Sequence, residues 1–246
     1  MPVNLPDQPT PQSQEFSGYR RVLAYLRDLL ISGALKTGDR LPSERELALR
    51  LDVSRPAVRE GLRALEMIGV LETRHGRAST VRVPDAVVLG EFFSLALAQQ
   101  PAALDDILEV RIALERQAVR LACSRANEED RKELIAALQQ IERTIDDDSR
   151  GGAADFAFHT RIVAAAHSPS LATIYETITH LLEKSHVERR RRMGGNAMTR
   201  AFLVDHHREI LKAIEAGDAA LADDLMLRHF AIGASIHQQA AKAQTN

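Results

Sequence analysis

The chain has 246 residues, 45% of them apolar and 27% charged, which is enough for two domains, each with its own core. One cysteine, Cys123, excludes a disulfide framework and any multi-cysteine zinc ribbon. The formal net charge of −2 argues against a chain built only to coat polyanions, but the balance is uneven: residues 1–84 carry 13 Lys and Arg against 10 Asp and Glu, and the remainder 19 against 24. Twelve of those 13 N-terminal cations are arginine, the side chain suited to phosphate and to guanine edges.

Residues 1–15 hold four prolines and few large apolar side chains, and read as a disordered tail. A helical stripe of Tyr19, Leu23, Leu26 and Leu30 follows between Phe16 and Gly33. Ser43-Glu44-Arg45-Glu46 has the form of a capping box, so a second helix is expected through Leu51. Ser54 is the N-cap of a third, with Pro56 tolerated in its first turn and Val58, Leu62 and Leu65 on one face; it ends near Gly69. Val70–Arg74 and Thr80–Val83 read as two short strands around a turn at His75-Gly76-Arg77-Ala78-Ser79.

Three short helices followed by a hairpin is the order of a winged helix-turn-helix. The stretch LPSERELALRLDVSRPAVREGLRALEMIGVLETRHGRASTVRV resembles the DNA-binding domain of the GntR family of bacterial transcription regulators, a likeness covering residues 16–84. Beyond Pro84, with 85–103 read as linker and connecting helix, the chain shows only helical stripes: 87–99, 104–124, 127–147, 153–167, 170–193, 198–216 and 218–242. Breaks are expected at Gly151-Gly152, Pro169, Gly194-Gly195 and Gly217, giving an antiparallel all-helical bundle over 104–242. There DDILEVRIALERQAVRLA, DFAFH and DHHREILKAIEAGD are similar to the FCD effector-binding domain of FadR-type GntR regulators. The expected fold class is thus mainly α, a winged helix-turn-helix followed by a helical bundle.

In a helix-turn-helix the second helix of the motif enters the major groove by its N-terminal turn, where Ser54, Arg55 and Arg59 lie. Arg45, at the start of the preceding helix, is placed to touch a neighbouring phosphate. The resemblance implies that these three arginines and the wing tip, His75 and Gly76, contact double-stranded DNA, with Arg63, Arg74 and Arg77 as weaker candidates. Arginines on a solvated helix face are the plain alternative.

In the bundle, several ionisable groups fall on apolar stripes. Arg111 lies between Ile107 and Leu114; Asp155 and His159 share a face with Ile162; His207 lies with Leu203 and Leu211, and His229 with Leu225 and Ile232. One carboxylate and three imidazoles are ligand types for Zn²⁺, Mn²⁺ or Ni²⁺, although each histidine alone is equally a hydrogen-bonded core residue. The resemblance implies a divalent metal held through Asp-x₃-His and two later histidines, positions matched by Asp155, His159, His207 and His229. His206 competes with its neighbour, and the family's H-R-x-I-L pattern favours His207. His167, His180, His186 and His237 are read as surface or packing histidines, and Arg189–Arg192 as a solvated helix end. Many family members carry an asparagine where this chain has His167-Ser168-Pro169-Ser170.

Together these readings lead to a homodimeric, cytoplasmic, non-enzymatic transcription regulator on a palindromic operator, a repressor released by a small organic or sugar acid that meets Arg111 beside the metal. A metal-dependent hydrolase or isomerase using the same cluster is the rival, weakened by the absence of an assignable general base. A DNA-binding protein with a purely structural polar network is the third option. The longest apolar stretch, Val87–Ala98, is interrupted by Glu91 and is too short to span a bilayer.

Overall fold

A computed structural model describes residues 18–73, 78–84, 86–97, 103–193 and 197–244. The chain divides into two compact units, residues 1–89 and 90–246.

The first unit contains α1 (Gly18–Ile31), α2 (Glu44–Leu51), α3 (Arg55–Met67), β1 (Leu71–Glu72) and β2 (Thr80–Val81). Its core is built from Val22, Tyr25, Leu26 and Leu29 of α1, Leu47 and Leu51 of α2, and Val58, Leu62 and Leu65 of α3. These are the periodic apolar positions of each helix, and each fully buried side chain contributes about 1.5–3 kcal/mol. Helices α1 and α3 approach closely because Gly61 faces Val22: a β-carbon on Gly61 would stand 2.9 Å from Val22 Cβ. The turn between α2 and α3 is held by Arg21, whose Nη2 donates to Leu51 O at 2.7 Å, and by Asp52 in the left-handed region at φ 48°. Ser43 caps α2 by accepting from the Glu46 amide, as its spacing predicts, but the reciprocal half of the box is not made. Glu46 instead lies 3.8 Å from Arg50, one turn along. The strands pair antiparallel, Leu71 opposite Val81 and Glu72 opposite Thr80, and are shorter than the predicted ones. Their turn, residues 74–77, lies outside the described residues.

The second unit is helical: α4 (Ala86–Leu97, which begins before the division), α5 (Ala103–Arg125), α6 (Glu128–Arg143), α7 (Asp148–Ala165), α8 (Pro169–Thr177), α9 (Thr179–Met193), α10 (Ala197–Glu215) and α11 (Ala219–Gln244). Its core gathers Ala118, Val119, Leu134, Ile141, Phe158, Ile162, Leu182, Ile210, Ile214 and Met226. Helix α7 packs against α5, α6 and α9, and α11 against α5, α9 and α10. A bidentate pair, Arg116 Nε and Nη2 with Asp223 Oδ1 and Oδ2 at 2.7 and 2.8 Å, ties α5 to α11.

Two predicted boundaries are corrected. Gly151-Gly152 is no break but lies inside α7, both residues buried. Packing explains them: a β-carbon on Gly151 would meet Thr144 O at 2.9 Å, and one on Gly152 would meet the Val187 Cα of α9 at 2.8 Å. Asp147, accepting from the amides of Ser149 and Arg150, starts the helix instead. The predicted helix 170–193 is divided at Ile178. There Thr177 and Thr179 turn their hydroxyls back onto Thr173 O and Tyr175 O, the back-bonding that bends helices. The expected break at Gly194-Gly195 lies outside the described residues.

Candidate functional site

Helix α7 places Asp155 and His159 one turn apart on its inner face, α10 adds His207 and α11 adds His229. One ligand atom from each of the four lies within 4.8 Å of the others. His159, His207 and His229 are at most 2% exposed, and solvent reaches the group at Asp155, whose side chain is 13% exposed. The structure therefore brings together the four side chains singled out by spacing, and between the adjacent histidines it brings in His207. The ring of His206 turns toward Phe202, with centroids 5.1 Å apart.

A hydrogen bond behind the His207 ring and a close carboxylate behind the His159 ring orient their other nitrogens. His207 Nδ1 donates to Leu203 O at 2.7 Å, which turns Nε2 toward Asp155 Oδ1 at 2.7 Å. His159 Nδ1 lies 2.5 Å from Glu115 Oε2, and its Nε2 is 3.8 Å from Asp155 Oδ1. The Nε2 atoms of His159 and His207 are buried and lack a hydrogen-bond partner. Two ring nitrogens converging with a carboxylate oxygen need a positive charge between them, a proton or a metal ion. The donor set fits a divalent metal: hard oxygen, borderline nitrogen, buried walls and ring nitrogens held from behind. Burial lowers the pKa of His159 from 6.5 to about 4 against the opposing pull of Glu115, so the ring is neutral and ready to ligate at neutral pH.

Arg111 of α5 is fully buried. Its Nε donates to Glu115 Oε1 at 2.9 Å, its Nη2 stands 3.9 Å from Asp155 Oδ2, and its guanidinium carbon lies 4.8 Å from the centre of the Phe230 ring. Nη1 and Nη2 have no hydrogen-bond partner. Burial alone would raise the Glu115 carboxyl, but Arg111, His159 and His186 outweigh it and hold it well below the usual carboxylate range. Asp155 behaves alike, with His186 and His207 overcoming burial.

Two contributors were not singled out by spacing. Glu115, 0% exposed, accepts from Arg111 and from Tyr175 Oη at 3.0 Å. His186, read as a surface or packing residue, is 1% exposed and places Nδ1 against Asp155 Oδ2 at 2.5 Å. Its signal was the position one turn after the buried Leu182.

In the first unit Ser54 caps α3, its hydroxyl accepting from Ala57 N at 3.3 Å. Arg45 and Arg55 are exposed and, among the described residues, make no hydrogen bond or ion pair. Arg59 is also exposed but is engaged: Nε and Nη2 meet Glu44 Oε1 and Oε2 at 3.2 and 2.8 Å. His75, Gly76, Arg74 and Arg77 lie outside the described residues.

Residues 18–81 match the model of bacterial regulatory proteins of the gntR family, and residues 106–231 match the FCD domain. The transcriptional regulator YcbG of Bacillus subtilis (strain 168) is 35% identical over 217 residues, 85% of each chain. This chain belongs to the gntR family. A putative L-lactate dehydrogenase operon regulatory protein of Escherichia coli (strain K12) is 31% identical over 209 residues, 83% of this chain and 80% of that one. A GntR structure from Streptococcus agalactiae superposes with a TM-score of 0.63 at 24% identity, covering 88% of this chain and 99% of the other, a likeness of fold. As a gntR-family protein with an FCD domain, the chain is a DNA-binding transcription regulator with a small-molecule effector domain; its relatives are regulators and not enzymes.

Proposed function

We propose that this gntR-family regulator senses a small organic or sugar acid in a metal-containing pocket of its FCD domain and, as a homodimer on a palindromic operator, acts as a repressor that the acid releases. The observation that carries the proposal is Arg111: a fully buried guanidinium beside the Asp/His group whose two Nη atoms lack a hydrogen-bond partner. A buried donor pair of this kind calls for an anionic partner, and a carboxylate matches its fork. Charge balance points the same way. Arg111, Asp155 and Glu115 sum to −1; a divalent ion brings that sum to +1, and a monocarboxylate to zero. Asp155, His159, His207 and His229 would hold the ion, whose role is to bind and polarise the acid's oxygen atoms. That one relative's name refers to an L-lactate dehydrogenase operon agrees with an acid as the signal.

On the DNA side, Arg45, Arg55 and Arg59, with Ser54 fixing the start of α3 and His75 and Gly76 at the wing, are proposed as the contacts. A ligand releases DNA only by favouring a state whose two reading heads no longer match the half-sites. The test is metal analysis of the purified protein followed by a thermal-unfolding screen of small carboxylic acids. A true effector at about a hundred times its Kd stabilises by about 2.7 kcal/mol. Arg111→Met is expected to abolish that gain, and stabilisation that survives this substitution would remove Arg111 from the site.

A further inference from the structure

Glu115 is buried beyond reach of solvent, with Arg111, Tyr175 and His159 against its oxygens and His186 Nε2 farther off, 3.9 Å from Oε1. Its Oε1 takes both Arg111 Nε–H, at 2.9 Å, and Tyr175 O–H, at 3.0 Å. Its Oε2 faces His159 Nδ1 at 2.5 Å, and these two buried atoms have no hydrogen-bond partner elsewhere to compete for them. Paired with a fully buried arginine, Glu115 is a carboxylate and therefore accepts only. Against an acceptor this close, a His159 ring that ligates through Nε2 carries its proton on Nδ1. Nε2, the nitrogen turned toward Asp155, is then bare.

We propose that Glu115 is the positioning residue that selects the His159 tautomer and so opens the Nε2 lone pair to a metal ion. It acts through His159 and touches no metal itself. The consequence for ion binding rests on the metal reading given above; the tautomer does not.

The same geometry makes Glu115→Gln an informative change. Two donors converge on Oε1, and the Arg111 guanidinium can only donate, so the single oxygen of a glutamine is drawn to that side. Its NH₂ group then faces His159 Nδ1 and obliges that atom to accept. The ring proton moves to Nε2, where it occupies the lone pair a metal would need. The variant keeps the side-chain volume and the hydrogen bonds of Arg111 and Tyr175 while reversing one tautomer.

The test uses full-length wild type and Glu115→Gln, stripped with chelator. Long-range ¹H–¹⁵N correlation at neutral pH reads the tautomer, with the His159 signals assigned by their loss in His159→Gln. Zn²⁺ affinity is then measured by competition with a chromophoric chelator. Wild type is expected to carry its proton on Nδ1 and Glu115→Gln on Nε2, with Zn²⁺ affinity lowered about 10–100-fold in the variant. Glu115→Asp, still an acceptor, is expected to keep the wild-type tautomer. A wild-type proton on Nε2, or a Glu115→Gln protein with unchanged tautomer and affinity, overturns the proposal. The wild-type spectrum decides even where the variant fails to fold. A wild type with the expected tautomer that takes up no Zn²⁺ overturns the metal reading and leaves the assignment of Glu115 standing.

Discussion

At the scale of single residues, the FCD pocket is a set of buried charges that balance only in company. His159 illustrates the cost of burial: its pKa in the folded chain, about 4, lies below the ordinary 6.5. As pH falls from 6.5 to 4 the unfolded chain gains this proton and the folded chain does not, so metal-free protein is expected to lose about 3 kcal/mol of stability across that window. The carboxylates of Asp155 and Glu115 are also held low, so further loss follows below about pH 4.5, with the same sign. Urea unfolding of metal-free protein at a series of pH values checks this; a stability that is flat between pH 6.5 and 4 would contradict it. Asp155 and the three histidines were legible in the sequence because an ionisable group on an apolar stripe has nowhere to point but inward. Glu115 and His186 were harder to see. Apart from Arg111, one turn back on α5, the partners of Glu115 come from α7 and α8, and that of His186 from α7, and helical spacing carries no information about packing between helices.

In the first unit, Ser54 has a dual position, as cap of α3 and at the face expected to read DNA. Ser54→Ala removes the bond to Ala57 N and is expected to cost about 1 kcal/mol, while Ser54→Asp restores a cap and places a negative charge at the helix start. If that charge lies at a phosphate, Ser54→Asp retains stability but loses DNA affinity, measurable by unfolding and fluorescence anisotropy on the same samples. Unchanged DNA affinity in Ser54→Asp would place the start of α3 away from the duplex. The ion pair of Arg59 with Glu44 was not foreseen, because 15 positions separate the two residues and only the angle between α2 and α3 joins them.

At the scale of elements, two glycines set helix distances. In an open helix, alanine in place of glycine gains about 1 kcal/mol. At Gly152 the added carbon would stand 2.8 Å from the backbone of Val187, and at Gly61 2.9 Å from Val22 and 3.2 Å from Tyr19 O. Both Gly→Ala changes are therefore expected to destabilise, by about 1–3 kcal/mol, with thermal or urea unfolding as the measure. A gain in stability at either site would show that the helices have room to part. Reading Gly151-Gly152 as a break treated glycine by its propensity alone; in α7 its small size lets α9 approach, and α9 carries His186 against Asp155. The remaining helices were readable from their apolar stripes, and local caps fix where they start, as with Asn127 and Asp130 at the start of α6, where both halves of a capping box form. The bend at Ile178 was hidden because Thr177 and Thr179 are ordinary helix residues until their hydroxyls turn back onto the chain.

At the scale of the whole molecule, the order of elements was the most legible property. Three short helices, a hairpin and then only 3.6-residue periodicity lead to a winged helix-turn-helix followed by a bundle, and the gntR and FCD matches fall on those two stretches. Among the described residues no helix is long and apolar enough to cross a membrane. The excess of arginine in the N-terminal third and of acid in the remainder suits one part to a polyanion and the other to an enclosed site. What joins these two tasks is the proposed response to an acid, and it is open to one direct measurement. A labelled duplex selected from a random pool by the metal-loaded protein is titrated by fluorescence anisotropy with and without each stabilising carboxylic acid. The account expects the acid to weaken DNA binding by wild type at least tenfold and to leave Arg111→Met unaffected. Equal DNA affinity with and without every acid that stabilises the protein would contradict it.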